Sequence, residues 1–219
     1  MRADAERSTA RILEAAEAVL AEDVNASLER VADAAGLARA TVHRRFASRK
    51  ALVEALTVQL NERYLEAIRQ ARVETAPPLV ALHRLTETVF ELKISHRFAI
   101  NAASDPVTAL PTLSPAVERG LDRLFERLRA AGVITAAAPE WSRRIYLAVL
   151  CEVDRLAAAA PDLAGEKAAT PGPAGEEAGA PEVGGDKAGD EVGARTDLTV
   201  RTVIGALGGD AQALVTLRT

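Results

Sequence analysis

Aromatic residues make up 3% of this 219-residue chain, and cysteine, methionine and tryptophan occur once each. The single cysteine, Cys151, excludes an intramolecular disulfide and any metal site built on several cysteines. Its neighbours Glu152 and Asp154 disfavour a thiolate, so Cys151 reads as a small packing residue. The β-branched runs and Asn-Gly or Asp-Gly turns of a sheet protein are missing. No apolar run reaches the length of a membrane span, and the opening "MRADAERSTARILEAAEAVL" is charged and amphipathic, unlike a signal peptide. Phosphate loops, Gly-x-Ser-x-Gly elbows and paired zinc-helix histidines do not occur. His43, His83 and His96 lie far apart without cysteine companions, so no metal is expected. What remains is an all-α protein, expected to be cytoplasmic and non-enzymatic, with no cofactor and no membrane partner.

Hydrophobic residues account for 48% of the chain, much of it alanine, which favours helices and lets them pack closely. Ile12, Leu13, Ala16, Val19 and Leu20 recur at helical spacing in a first helix from Ser8 to about Asp23. Ser27 stands where an N-cap belongs, before "LERVADAA", and Gly36 stops that second helix. A short third helix spans roughly Ala38 to Phe46, and Ser48 caps a fourth, about Arg49 to Arg72, ended by "TAPP". Beyond Pro77-Pro78 the spacing predicts a fifth helix through Leu82, Leu85, Val89 and Leu92 to about Ala103. The segment "SDPVTALPTLSP" is a broken connection. A further helix carries Val117, Leu121, Leu124, Phe125 and Leu128 and stops at Gly132. Pro139 opens the next, with Trp141, Ile145, Val149 and Leu156 as its apolar stripe. Helical character resumes in "TDLTVRTVIGAL", and the tail "DAQALVTLRT" has room for one more turn.

Between them, residues 161–195 are rich in Gly, Pro, Ala and acids, with an imperfect repeat "AGEKAATPGP", "AGEEAGAPEV", "GGDKAGDEVG". Such a segment buries too little apolar surface to offset its ordering entropy, so it reads as a disordered acidic insertion. The domain boundaries follow: 1–72, then a helical domain over 73–219 that contains the insertion.

The formal charge is -4 and the pI near 5.5, yet "GLARATVHRRFASRKAL" holds Arg39, Arg44, Arg45, Arg49 and Lys50 without one acid. A solvated helix face is the ordinary explanation of such a run. Here the cations fall on the second of two short helices joined by a glycine turn, the pattern of a helix-turn-helix. Val42 and Phe46 point one way and anchor the helix. Arg39, Ala40, Thr41, His43, Arg44 and Arg45 are then left outward or partly so, where a major groove can receive them. The acidity of the rest confines nucleic-acid contact to this patch.

The segments "RILEAAEAVLAED" and "SLERVADAAGLARATVHRRFASRKALVEAL" resemble the TetR family of bacterial transcriptional regulators over about the first 60 residues. Val31-Ala32, Gly36-Leu37, Thr41-Val42-His43, Phe46 and Ser48-Arg49-Lys50-Ala51-Leu52 stand in the places of its motifs, at their mutual spacing. Three features depart: "DVNA" replaces a glycine connection between helices one and two, His43 replaces a tyrosine, and Lys50 replaces a glutamate.

The resemblance implies a three-helix DNA-binding domain joined by helix four to a larger helical domain for effector binding and dimerisation. Arg39 and Thr41 would then read bases, with Ala40 on a thymine methyl. Ser27, His43, Arg45, Arg49 and Lys50 would hold phosphates, and Arg44 could do either. The implied partners are a double-stranded palindromic operator, a second copy joined through helices 139–160 and 196–207, and a small-molecule effector. Helix four would transmit the effector's signal, and the effect would be repression relieved by that effector. His83, Phe90, His96, Trp141 and Tyr146 are candidate pocket residues, although packing is the ordinary role of such aromatics. The competing reading is a helical protein-interaction module that keeps the fold without reading DNA.

Overall fold

The computed structural model describes residues 2–105, 110–159 and 187–210. Among them the elements are α1 (Arg2–Glu22), α2 (Leu28–Ala35), α3 (Arg39–Arg45), α4 (Arg49–Gln70), α5 (Pro78–Ser95), α6 (Arg97–Ala102), α7 (Pro115–Ala130), α8 (Pro139–Ala159) and α9 (Lys187–Ala206). An isolated antiparallel bridge between Ser104 and Pro111 is the extended pairing found there. The all-α expectation is met. The chain divides into two compact units: Met1–Gln70 with Glu91–Leu121, and Ala71–Phe90 with Asp122–Thr219.

In the first unit, Ile12, Leu13, Ala16, Val19 and Leu20 of α1 are buried, as their spacing requires. Ser27 caps α2 by accepting from the Arg30 amide at 3.3 Å, and Leu28, Val31, Ala32 and Ala35 face inward. Gly36 ends α2 with φ 61 and ψ 39, a left-handed conformation that would cost another residue about 1–2 kcal/mol. Arg11 of α1 donates to the Ala35 carbonyl at 2.6 Å and so satisfies one of the acceptors that a helix end leaves open. Val42 is fully buried and Phe46 nearly so, which fixes the rotation of α3 on the core. Ser48 accepts from the Ala51 amide at 3.2 Å and starts α4. Gly120 lets α7 approach α4: a Cβ there would lie 2.9 Å from Cδ1 of Ile68.

The expected fifth helix does not run through to Ala103. It breaks at His96, which has φ -129 and ψ 38, and α6 begins anew. The buried carboxylate of Glu17 accounts for the break, because its Oε1 accepts from the Ala99 amide at 3.1 Å. A helix start exposes such amides and a continuous helix would not.

In the second unit, Leu82, Leu85, Phe90, Leu124, Phe125, Leu128, Tyr146 and Leu150 are buried with Val200, Val203 and Ile204 of α9. Phe125 and Tyr146 meet edge to face with ring centres 5.8 Å apart. Arg127 donates to the carbonyls of Val73 and Ala76, and Arg143 to Asp122.

Two expectations need correction here. The stripe Trp141, Ile145, Val149 and Leu156 is not the buried face of α8; Ser142, Tyr146, Leu147, Leu150, Val153 and Ala157 are. Trp141 is 56% exposed and Leu156 54%. The helix is apolar on two adjoining sides, and periodicity does not say which one meets the chain's own core. The insertion, read as 161–195, also ends earlier than expected, because α9 already starts at Lys187. Val192 is buried, and Arg195 pairs with both Glu191 and Asp154, which gives this acidic stretch the partners its composition did not advertise. The remainder of the expected insertion, 161–186, and the tail turn, 211–219, lie outside the described residues.

Candidate nucleic-acid interface

Burial of Val42 and Phe46 turns the other side of α3 outward. Arg39, Ala40, His43, Arg44 and Arg45 are exposed, and Thr41 is half-buried. Ser27, Arg49 and Lys50 are exposed at the starts of α2 and α4. Ser27 Oγ accepts from the Arg30 amide, and its hydroxyl donates to the Glu29 carboxylate, so a phosphate would have to compete with Glu29 for that proton.

The cations are held differently. Arg44 and Arg45 make no hydrogen bond or ion pair among the described residues. Arg39 lies 3.7 Å from Asp33, and Lys50 3.9 Å from Glu54, all four side chains being exposed. Such pairs contribute little and give way readily to a phosphate or base. His43 Nε2 sits 3.0 Å from Glu29 Oε1. The backbone amide at the start of α2 holds the Glu29 carboxyl pKa at about 2, helped by His43 and Ser27. Arg49 donates one N–H to the carbonyl of Val24, which secures the α1–α2 connection to the start of α4. Arg11 and Arg49 thus both act as clamps of this unit. No motif marks that task, since each reaches a backbone carbonyl distant in sequence.

The five candidate pocket residues are divided between the two units. His83, Phe90, Trp141 and Tyr146 belong to the second unit, and His96 is the N-cap of α6 in the first. Phe90 is fully buried. The Tyr146 hydroxyl is 3.2 Å from Oγ1 of Thr86, and burial pushes its pKa well up. His83 pairs with Asp197 at 3.0 Å. Burial, and then the charge of Arg63, lower the pKa of His96. Trp141 is 56% exposed in the single chain. Among the described residues no group of His, Cys, Asp and Glu could hold a metal, and no helix is long and apolar enough to cross a membrane.

The arrangement is that of a helix-turn-helix protein: a core-anchored, cation-bearing helix between two capped helices. The family model described as "Bacterial regulatory proteins, tetR family" matches residues 12–56, which hold α2, α3 and the start of α4. The chain belongs to that family and is a DNA-binding transcriptional regulator. It is similar to the HTH-type transcriptional repressor LfrR of Mycolicibacterium smegmatis, 33% identical over 146 residues, which is 66% of this chain and 76% of that protein. The structure of LfrR from Mycobacterium smegmatis in complex with proflavine aligns with a TM-score of 0.51 at 30% identity, covering 70% of this chain and 86% of that one. The regulator PfmR of Thermus thermophilus aligns with a TM-score of 0.58 at 21% identity, over 87% of this chain and 97% of its own, and shares the fold.

Proposed function

We propose that this protein is a repressor that binds a palindromic operator as a homodimer and leaves it when a small molecule binds the helical part of the chain. The observation that carries this reading is the outward face of α3, where Arg44 and Arg45 are unengaged among the described residues and Val42 and Phe46 fix the helix beneath them. The likeness to a repressor and to its proflavine complex supports repression and an effector. Residues 1–72 form the DNA-binding domain and 73–219 the effector and dimerisation domain. Arg39, Ala40 and Thr41 read base edges, while Ser27, His43, Arg45, Arg49 and Lys50 hold phosphates and Arg44 serves either task. Phosphate contacts supply affinity and salt dependence, and base contacts supply specificity.

Dimerisation uses α8 and α9. Trp141, Leu156 and Leu198 are large apolar side chains left about half exposed, at 56%, 54% and 47%. A second copy of the same face would cover them in a two-fold arrangement. Recognition helices about one DNA turn apart, ~34–36 Å, then meet two half-sites. The effector lies among His83, Phe90 and Tyr146 and favours a conformation in which the two recognition helices no longer fit the half-sites. The protein works in the cytoplasm, where its DNA is.

Selection of bound fragments from the genome of the source organism tests this reading. Recovered fragments should share one motif with two-fold symmetry. Recovery without a common motif contradicts it.

A further inference from the structure

A cavity of about 320 Å³ opens in the first compact unit, lined by residues of α1, α4 and α6 and by Val24 of the α1–α2 connection. Its apolar lining includes Leu20 and Phe98, which are buried, and Val24, which is 60% exposed. Its polar lining is Arg49, Arg97 and Asn101, and it contains no carboxylate. Arg97 makes no hydrogen bond or ion pair among the described residues, and Arg49 commits one donor to the Val24 carbonyl while keeping others.

We propose that this cavity binds a small amphipathic carboxylate. The apolar body lies on Leu20, Val24 and Phe98, and the carboxylate takes the donors of Arg97 and Arg49, with the Asn101 amide beside them. The volume fits the lower end of ligand pockets, roughly 300–1,000 Å³. A charge-assisted pair is stronger than a neutral hydrogen bond, so the site discriminates against the corresponding alcohol, and it repels the corresponding amine. The cavity belongs to the first unit, and His83, Phe90 and Tyr146 belong to the second. Arg49 also faces the DNA, so an anion here neutralises part of the phosphate-binding charge, and ligand and DNA weaken each other's binding by the same factor. That coupling rests on the phosphate role of Arg49; the site itself does not.

Octanoate is the probe, with 1-octanol and octylammonium as the neutral and cationic controls, titrated calorimetrically into the full chain. Octanoate should bind at least roughly ten-fold more tightly than either control. Arg97→Gln should weaken octanoate by about five-fold or more while leaving DNA affinity in the absence of octanoate unchanged. Ala102→Glu, on the exposed side of α6, places a carboxylate in the cavity and should abolish octanoate binding. Equal binding of 1-octanol, or wild-type octanoate binding by both variants, overturns the site. In DNA titrations octanoate should weaken binding by the wild type and not by Arg97→Gln; equal weakening of both overturns the coupling. A chain that shows the octanoate pattern but binds no DNA keeps the site and loses the proposed repressor function.

Discussion

Arg39 and Arg45 sit at opposite ends of α3, and the difference between the tasks proposed for them is measurable. Arg39 stands at the start of the helix beside Asp33, an exposed partner it can exchange for a base edge. Arg39→Ala should relax base preference at one position by about 1–3 kcal/mol, read as changed relative affinities across a panel of single-base operator variants. Arg45→Ala should weaken all sequences alike and reduce the slope of log K against log salt by about one, read from a salt titration.

Two carboxylates give opposite pH signatures. The folded Glu29 carboxyl is held near 2 by its own backbone amide first, then His43 and Ser27, below the unfolded value. Its stabilising contribution is present above the unfolded pKa and is lost as pH falls toward 2. Thermal melts of Glu29→Gln should therefore lie below wild type near neutral pH and converge with it in acid. Glu17 is the reverse case. Burial raises its pKa, against the Ala99 and Phe98 amides and Arg63, and its Oε2 has no partner among the described residues. A raised folded pKa means that stability is fullest below the unfolded value and falls as pH rises through the folded one. Glu17→Gln, which keeps the acceptor for Ala99, should melt higher than wild type in mild alkali, with the gap closing in acid. An unchanged gap across pH would contradict the burial argument.

Among the elements, α2 and α3 were the most legible in the sequence. Ser27, Gly36, Val42 and Phe46 each had a local reason to be where they are, and caps and turns are written in short stretches of chain. Gly36→Ala should destabilise the fold by about 1–2 kcal/mol because of its left-handed backbone, read from chemical denaturation. Its new Cβ would meet Nη2 of Arg11 at 3.2 Å, a flexible atom, so strain rather than collision sets the loss. The break between α5 and α6 was not legible, since Phe98 and Ile100 continue an apolar pattern while the cause, Glu17, lies 82 residues away. The inward side of α8 was hidden for a related reason. Trp141 and Leu156 look like core residues in a sequence and face outward in the chain. The start of α9 was masked by its acidic, glycine-bearing composition, and the pairing of Arg195 with its two carboxylates is a contact that composition does not show. The candidate DNA surface could be read locally; the cavity under Val24 and the clamps from Arg11 and Arg49 depend on contacts that no local pattern records.

For the molecule as a whole, a net charge of -4 leaves the α3 face as the part suited to DNA, and the exposed Trp141, Leu156 and Leu198 of α8 and α9 are what the proposed second copy would cover. Leu198→Glu should shift sedimentation from dimer toward monomer and weaken operator binding, because two linked half-sites bind far better than one. Trp141 emission, from the single tryptophan, should move to longer wavelength in the same variant as the residue loses its cover. The central claim is that the α3 face reads DNA by sequence, and fluorescence anisotropy tests it most directly with two duplexes of equal length, the selected operator and a scrambled version. At near-physiological salt the operator should bind at least about a thousand-fold more tightly, and joint substitution of Arg39, Arg44 and Arg45 by alanine should erase that difference. Equal affinity of the wild type for both duplexes, or an undiminished preference in the substituted protein, would contradict the account.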